Sequence, residues 1–301
     1  MKTVYLAISL ICVANADTIH PYGVPSPGVF AVAAAGAAGG GGGGGGLFTI
    51  DNCGAAANCS VASGATGPRS TNISGTADPG NISSGKSFAN FGLIKVYADF
   101  FDSTGGLHGH AAGLADAGWV DRYTISNALY TGQQGVFTFL MHVDGHLFAG
   151  DPGGSSGFQL GRTVDTGTPN YAFASGGQAN QVPGDYQETI NQNLTISVDF
   201  TFGTSFDMML RALASANLSG VGDSLLGGSS GISDFYSTIY WAGVQSVTVG
   251  GTPISGYTLS AASGTNYNQS FAPVNPVPEP GSLSLLAVAV AAVLWSSRRK
   301  R

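Results

Sequence analysis

Charge is scarce in this sequence. Asp, Glu, Lys and Arg make up 9% of 301 residues, against ~25% in an average globular chain. Solubility must therefore lean on Ser, Thr, Asn, Gln and Gly, a composition common in secreted β-proteins. Glutamate is almost missing, with only Glu188 and Glu279 present. That leaves no glutamate pair to flank a scissile glycosidic bond. Between Asp17 and Val277 six Lys/Arg face sixteen Asp/Glu, a net charge near −10. An acidic stretch with scattered cations offers no electrostatic footprint for nucleic acid or anionic lipid. No Asp-x-Asp-x-Asp calcium loop occurs. The Gly-x-Ser-x-Gly string at residues 153–157 reads as a loop with no triad around it. Exact internal repeats are also missing, which disfavours a propeller or solenoid.

What is present is concentrated at the two ends. Lys2 precedes a nearly continuous apolar run over residues 4–13, followed by Ala14-Asn15-Ala16. A cation, an apolar core and a small-x-small site predict a secretory signal peptide, residues 1–16, recognised at Ala14 and Ala16. Its expected handlers are the Sec translocon and signal peptidase, leaving Asp17 as the mature N-terminus. Export changes the cysteine reading. Of three cysteines, Cys12 leaves with the signal, and Cys53 and Cys59 remain, with five residues between them. In an oxidising compartment an even pair predicts a small disulfide loop. A metal site would need further ligands nearby, and no metal or other cofactor is expected.

The opposite end reads Val277-Pro278-Glu279-Pro280-Gly281-Ser282, then an apolar run over residues 283–295, then Arg298-Arg299-Lys300-Arg301. Prolines bracketing a glutamate keep the chain extended and accessible. The apolar run can satisfy its backbone internally as a helix in lipid, and the terminal cations favour the cytoplasmic side. Thirteen residues give roughly 20 Å of helix against ~30 Å of hydrocarbon. Such a segment is short for a permanent anchor and adequate for a transient one. This arrangement resembles the PEP-CTERM sorting signal of bacterial exosortase substrates. The resemblance implies an exosortase that recognises Pro278, Glu279 and Pro280 while residues 283–295 rest in the inner membrane, followed by removal of the tail. It also implies delivery to the surface or extracellular matrix of a Gram-negative bacterium. The same motif ends some ice-binding proteins. Ice recognition needs a regular array of Thr or similar groups, and the threonines here have no fixed spacing, so none is predicted.

Between the ends, residues 17–46 carry prolines, an Ala-rich run and an unbroken glycine tract over 39–46. We read them as a flexible leader. From residue 47 to 272 short apolar stretches alternate with Gly, Asn, Asp and Ser clusters. The clearest strand covers 194–202, where Leu194, Ile196, Val198, Phe200 and Phe202 share one face. Residues 95–101, 136–143, 146–149, 234–241, 244–249 and 257–260 read as further strands, and 206–216 as a strand or short helix. Asp144-Gly145 predicts a two-residue hairpin turn. Short strands without amphipathic helices predict an all-β, antiparallel, jelly-roll-like β-sandwich with a single transmembrane helix in the tail from 273 to 301.

Candidate chemistry is thin. The predicted turn would put His142 and His146 on opposite faces, against a shared metal. His108 and His110, with Asp99, Asp102 or Asp116, form the best remaining metal or catalytic group. Trp119, Tyr123, Tyr130, Tyr171, Tyr186, Tyr236, Tyr240 and Trp241 include rings that could stack on sugars, though most read as core. The expected function is non-enzymatic, structural or adhesive, with an exopolysaccharide-binding module as the alternative and a secreted hydrolase or lyase as the remoter one.

Overall fold

The computed structural model describes residues 24–38, 59–76, 81–102, 110–150, 153–165, 170–179, 185–218 and 229–273. The chain divides into a body, Met1–Phe271, and a tail, Ala272–Arg301. Within the body, the described residues form two seven-stranded sheets. Sheet A runs β2 (Cys59–Gly64), β1 (Gly28–Ala38), β6 (His110–Ser126), β11 (Ser205–Leu218), β8 (Gly154–Val164) and β9 (Asn170–Gln178), with β14 (Thr258–Ala261) also paired to β6. Sheet B runs β10 (Tyr186–Thr201), β7 (Gln134–Gly150), β12 (Ser230–Val249), β5 (Leu93–Asp102), β4 (Asn81–Asn90) and β3 (Arg69–Thr76), with β13 (Thr252–Pro253) on β12. Every pairing is antiparallel. The all-β, antiparallel sandwich is thus as expected, with more strands than the eight of a jelly roll.

One core lies between the sheets, and it is graded in side-chain size. At one end it is aromatic. Trp119 and Tyr123 of β6 meet Phe137 and Phe139 of β7, Trp241 of β12 and Phe206 of β11, all buried. Phe139 and Trp241 stack with centroids 4.3 Å apart, a geometry that adds ~0.5–1.5 kcal/mol beyond area burial. At the other end the inward residues are mostly small, Ala33 and Ala35 of β1, Ala115 of β6, Ser83 and Ser87 of β4 and Ala98 of β5, with Phe100 of β5 as a large exception. There the sheets come so close that a Cβ on Gly85 would lie 2.2 Å from the Leu114 carbonyl oxygen of the facing sheet. A Cβ on Gly113 would lie 2.3 Å from the Ser84 oxygen. Glycine within a strand here marks backbone approaching backbone.

This taper overturns the flexible-leader reading for residues 28–38. Phe30, Ala31, Val32 and Ala33 are 0% exposed, and β1 pairs with both β2 and β6. The Ala-rich run is a strand whose small inward side chains fit the narrow end of the sandwich. Its outward side chains Phe30, Val32 and Ala34 join Leu114, Val120 and Met209 in a second apolar cluster on the opposite face of sheet A. The glycine tract at 39–46 lies outside the described residues.

The Asp144-Gly145 turn is also corrected. Residues 134–150 run as one strand, β7, with buried and half-buried positions alternating throughout. Gly145 is buried, and a Cβ there would meet the Phe235 ring at 2.2 Å. Phe235 in turn stacks on Phe158 of sheet A at 3.7 Å between centroids. Gly145 is therefore the gap that admits Phe235 to the core. A real two-residue turn occurs instead at Gly250-Gly251, between Val249 and Thr252. Both glycines have positive φ, 56° and 80°, as type I′ hairpins demand. Residues 234–241 and 244–249 belong to one strand, β12, which absorbs three register shifts against β7. Residues 206–216 are strand, not helix.

Gly145→Ala is expected to destabilise the body by ~1–3 kcal/mol through overpacking against Phe235. A urea unfolding midpoint unchanged from wild type would show that Gly145 does not admit the ring.

Candidate functional site

The sites expected from sequence fall in three groups. The signal cleavage residues Ala14 and Ala16, the sorting motif Val277, Pro278, Glu279 and Pro280, and the basic end Arg298, Arg299, Lys300 and Arg301 lie outside the described residues. So does Cys53. Cys59, at the start of β2, is disulfide-bonded. No helix among the described residues is long and apolar enough to cross a membrane, and the tail segment expected to do so is not among them.

The second group is the histidines and aspartates, which the fold scatters. His142 and His146 share the outer face of sheet B because β7 continues straight through 144–145, which reverses the opposite-face expectation. Four residues of strand nevertheless separate them by ~13 Å. The His142 Nδ1 is 3.0 Å from Asn193 Oδ1, and its ring stacks on Tyr240 at 4.8 Å. Asp99 lies on that same outer face, accepting hydrogen bonds from Ser84 Oγ and, at 2.8 Å, from Tyr97 Oη. Burial first, then this bond, pushes the Tyr97 phenol well above its ordinary value. Asp116 faces out from sheet A, on the far side of the sandwich, where it is fully buried and paired with Arg211 at 2.6 Å. Asp99 and Asp116 are therefore not brought together. His108 lies outside the described residues, and His110 begins β6. Among the described residues, no three His, Cys, Asp or Glu side chains cluster at metal-binding range. The 153–157 serines stand at the head of β8, hydrogen-bonded into sheet A, rather than on a loop. Glu188 accepts bonds from Ser175 and Tyr186. Burial and that carboxylate raise the Tyr186 phenol to about 12.

The third group is the aromatics. Trp119, Tyr123 and Trp241 are 0% exposed, so they cannot stack on a glycan. Tyr236 and Tyr240 are half-buried on the outer face of sheet B, and the Lys95 Nζ sits 5.7 Å from the Tyr236 ring centroid. Tyr171 on β9 is 45% exposed.

Sequence reading missed the closure that precedes the tail. After β14 the chain turns back over the aromatic end of the core. Tyr267, 1% exposed, inserts between Tyr123 and Trp241, with centroids 5.0 and 4.9 Å away. Its hydroxyl donates to buried Asp121 at 3.1 Å, and its carbonyl accepts from Trp241 Nε1 at 2.9 Å. Asp121 also accepts from the backbone N–H of Ser263 at 3.1 Å, from Ser263 Oγ, and from the Arg122 N–H at 2.9 Å. The Phe271 N–H then donates to the Trp241 carbonyl at 2.8 Å. The body thus stays hydrogen-bonded up to its last residue. Burial raises the Asp121 carboxyl above its ordinary 3.8, against the opposing pull of its Ser263, Tyr267 and Arg122 donors. A lone Asp between Trp119 and Tyr123 in a strand alternating with core residues was the available signal.

A protein-family profile described as the PEP-CTERM protein-sorting motif matches residues 276–300. No curated protein and no solved structure matches the chain. The chain therefore carries a PEP-CTERM sorting signal, which marks it for export to the cell envelope or surface with an exosortase as processing partner.

The raised Asp121 carboxyl has a definite sign. The folded state holds this proton more tightly than the unfolded state. The stability it contributes is full below 3.8 and is lost as pH rises through its raised folded value. Asp121→Asn should therefore flatten the fall in stability over that acid window, relative to wild type, in urea unfolding at stepped pH. Identical slopes would contradict the raised carboxyl. Tyr267→Phe should cost ~1–2 kcal/mol by leaving the carboxylate short of a donor, read as a lower melting temperature.

Proposed function

We propose that this is a non-enzymatic surface or extracellular-matrix protein, structural or adhesive, that an exosortase releases from a transient stop in the inner membrane. The observation that carries it is the sorting signal at 276–300, which follows in sequence a body hydrogen-bonded through Phe271. Pro278, Glu279 and Pro280 hold an extended peptide open to a processing enzyme. The apolar run at 283–295 halts translocation, and Arg298, Arg299, Lys300 and Arg301 hold its end at the cytoplasmic face. In this reading the motif residues are the substrate of another enzyme and have no catalytic part.

The non-enzymatic role draws support from the scatter of the candidate groups. Asp99 and Asp116 point out from opposite sheets, and Glu188 is engaged by Ser175 and Tyr186. A sandwich of two antiparallel, hydrogen-bonded sheets around an apolar core suits a structural surface protein, and the closure around Tyr267 adds buried, bonded residues close to the end of the body. The N-terminal signal supplies the Sec translocon and signal peptidase as the earlier partners.

Mass spectrometry of the termini, taken from membrane and released fractions of an exosortase-bearing host, tests the scheme. The released pool is expected to begin at Asp17 and to lack Arg298–Arg301. Glu279→Ala is expected to shift the protein to the unprocessed membrane pool. An intact basic end on released protein would overturn the proposal.

A further inference from the structure

On the outer face of sheet A, β11, β8 and β9 carry a small tile of side chains set in register. Arg211 lies opposite Gly161, and Gly161 opposite Tyr171. Met209 pairs with Thr163 on one side of that row, and Leu213 with Gln159 on the other. Because Gly161 has no side chain, the centre of the tile is a hollow. Its walls are Gln159, Thr163, Tyr171, Met209, Arg211 and Leu213, and its volume is about 20 Å³. A single water or hydroxyl group needs about 10–15 Å³, so the hollow admits one such group and no more.

Two wall atoms await a partner. Gln159 Oε1 and Thr163 Oγ1 are buried, and neither has a hydrogen bond. Thr163 is 1% exposed. Leaving such groups dry costs ~1–3 kcal/mol each, which a ligand hydroxyl would relieve. Oε1 can only accept, whereas the threonine hydroxyl can donate or accept. The entering group must therefore be able to donate, and a hydroxyl does both. Charge narrows the ligand further. The Arg211 guanidinium is already bound by Asp116 through Nε at 2.9 Å and Nη2 at 2.6 Å, so the wall is close to neutral and gives an anion little reward. Tyr171 stands beside the hollow, 45% exposed, its ring edge 3.2 Å from where a Cβ on Gly161 would sit. An aromatic face at the rim suits the apolar C–H face of a ring whose hydroxyl enters the hollow.

We propose that this tile is a subsite for one residue of a neutral polysaccharide, with a sugar hydroxyl inserted over Gly161, hydrogen-bonded to Gln159 and Thr163, and the sugar face laid on Tyr171. The subsite is independent of the sorting reading, because binding by purified protein does not depend on where a cell delivers it.

The competing occupant is a structural water, which would satisfy the same two atoms without any ligand. Affinity electrophoresis of the purified full chain through gels containing dextran, galactomannan, mixed-linkage β-glucan or polygalacturonate separates the two. At least one neutral polymer should retard the wild type. Thr163→Val, which removes the hydroxyl and keeps the shape, should weaken that retardation about tenfold with an equal or higher melting temperature. Tyr171→Ala should weaken it similarly, in protein whose circular-dichroism spectrum matches that of wild type. No retardation by any neutral polymer, retardation by polygalacturonate alone, or retardation that persists in either variant would overturn the proposal. A lowered melting temperature in Thr163→Val without loss of binding would assign the hollow to water and overturn it equally.

Discussion

The sandwich depends on how closely its two sheets approach at the Gly85–Gly113 end. Sheets usually pack ~10 Å apart because side chains fill the space between them. Here backbone meets backbone, since Gly85 has room for no more than a hydrogen beside the Leu114 carbonyl. This forces alanine and serine onto the neighbouring inward positions of β1, β4 and β6, while β5 carries Ala98 and then the larger Phe100. The same two sheets must then diverge to accommodate Trp119, Trp241, Phe137 and Phe139 at the other end. The taper explains two sequence features at once, the Ala-rich run of β1 and the concentration of aromatic rings in β6, β7 and β12.

The wide end of a tapered sandwich needs a cover, and the segment from Ala262 to Phe271 supplies it. Tyr267 fills the space between Tyr123 and Trp241, and Asp121 collects the donors that arrive with Ser263 and Tyr267. A buried carboxylate is costly unless several donors surround it. This one is tolerated because β14 and the following turn deliver them. The aromatic end of the core, the buried acid and the turn from Ala262 to Phe271 thus form a single unit.

Much of this architecture was legible locally and some was not. The alternation from Leu194 to Phe202 is visible in sequence because one face of β10, Tyr186–Thr201, meets solvent, so polar and apolar residues take turns. The strands at the centre of sheet A hide both faces. Residues 112–120 of β6 and 29–35 of β1 are buried throughout, so alternation vanishes and small residues mimic a linker. Gly145 misled for a related reason. A glycine after aspartate signals a turn when only neighbours in sequence are considered, but Phe235, ninety residues away, determines its role. The same blindness applies to the hollow over Gly161, whose walls come from three strands brought together only by pairing.

The sequence by itself determined the destination of this protein. A sorting signal is read by other proteins as a linear string, so Pro278, Glu279, Pro280, the apolar run and the terminal arginines carry their meaning without a fold. All-β character was equally local, since it rests on the residue types and turn punctuation of each short segment. Tertiary structure alone decided which residues are available to act. It withdrew Trp119 into the core, split Asp99 from Asp116 across the sandwich, and set Gln159 and Thr163 beside a glycine. Burial and register arise from contacts distant in sequence, and no local pattern encodes them.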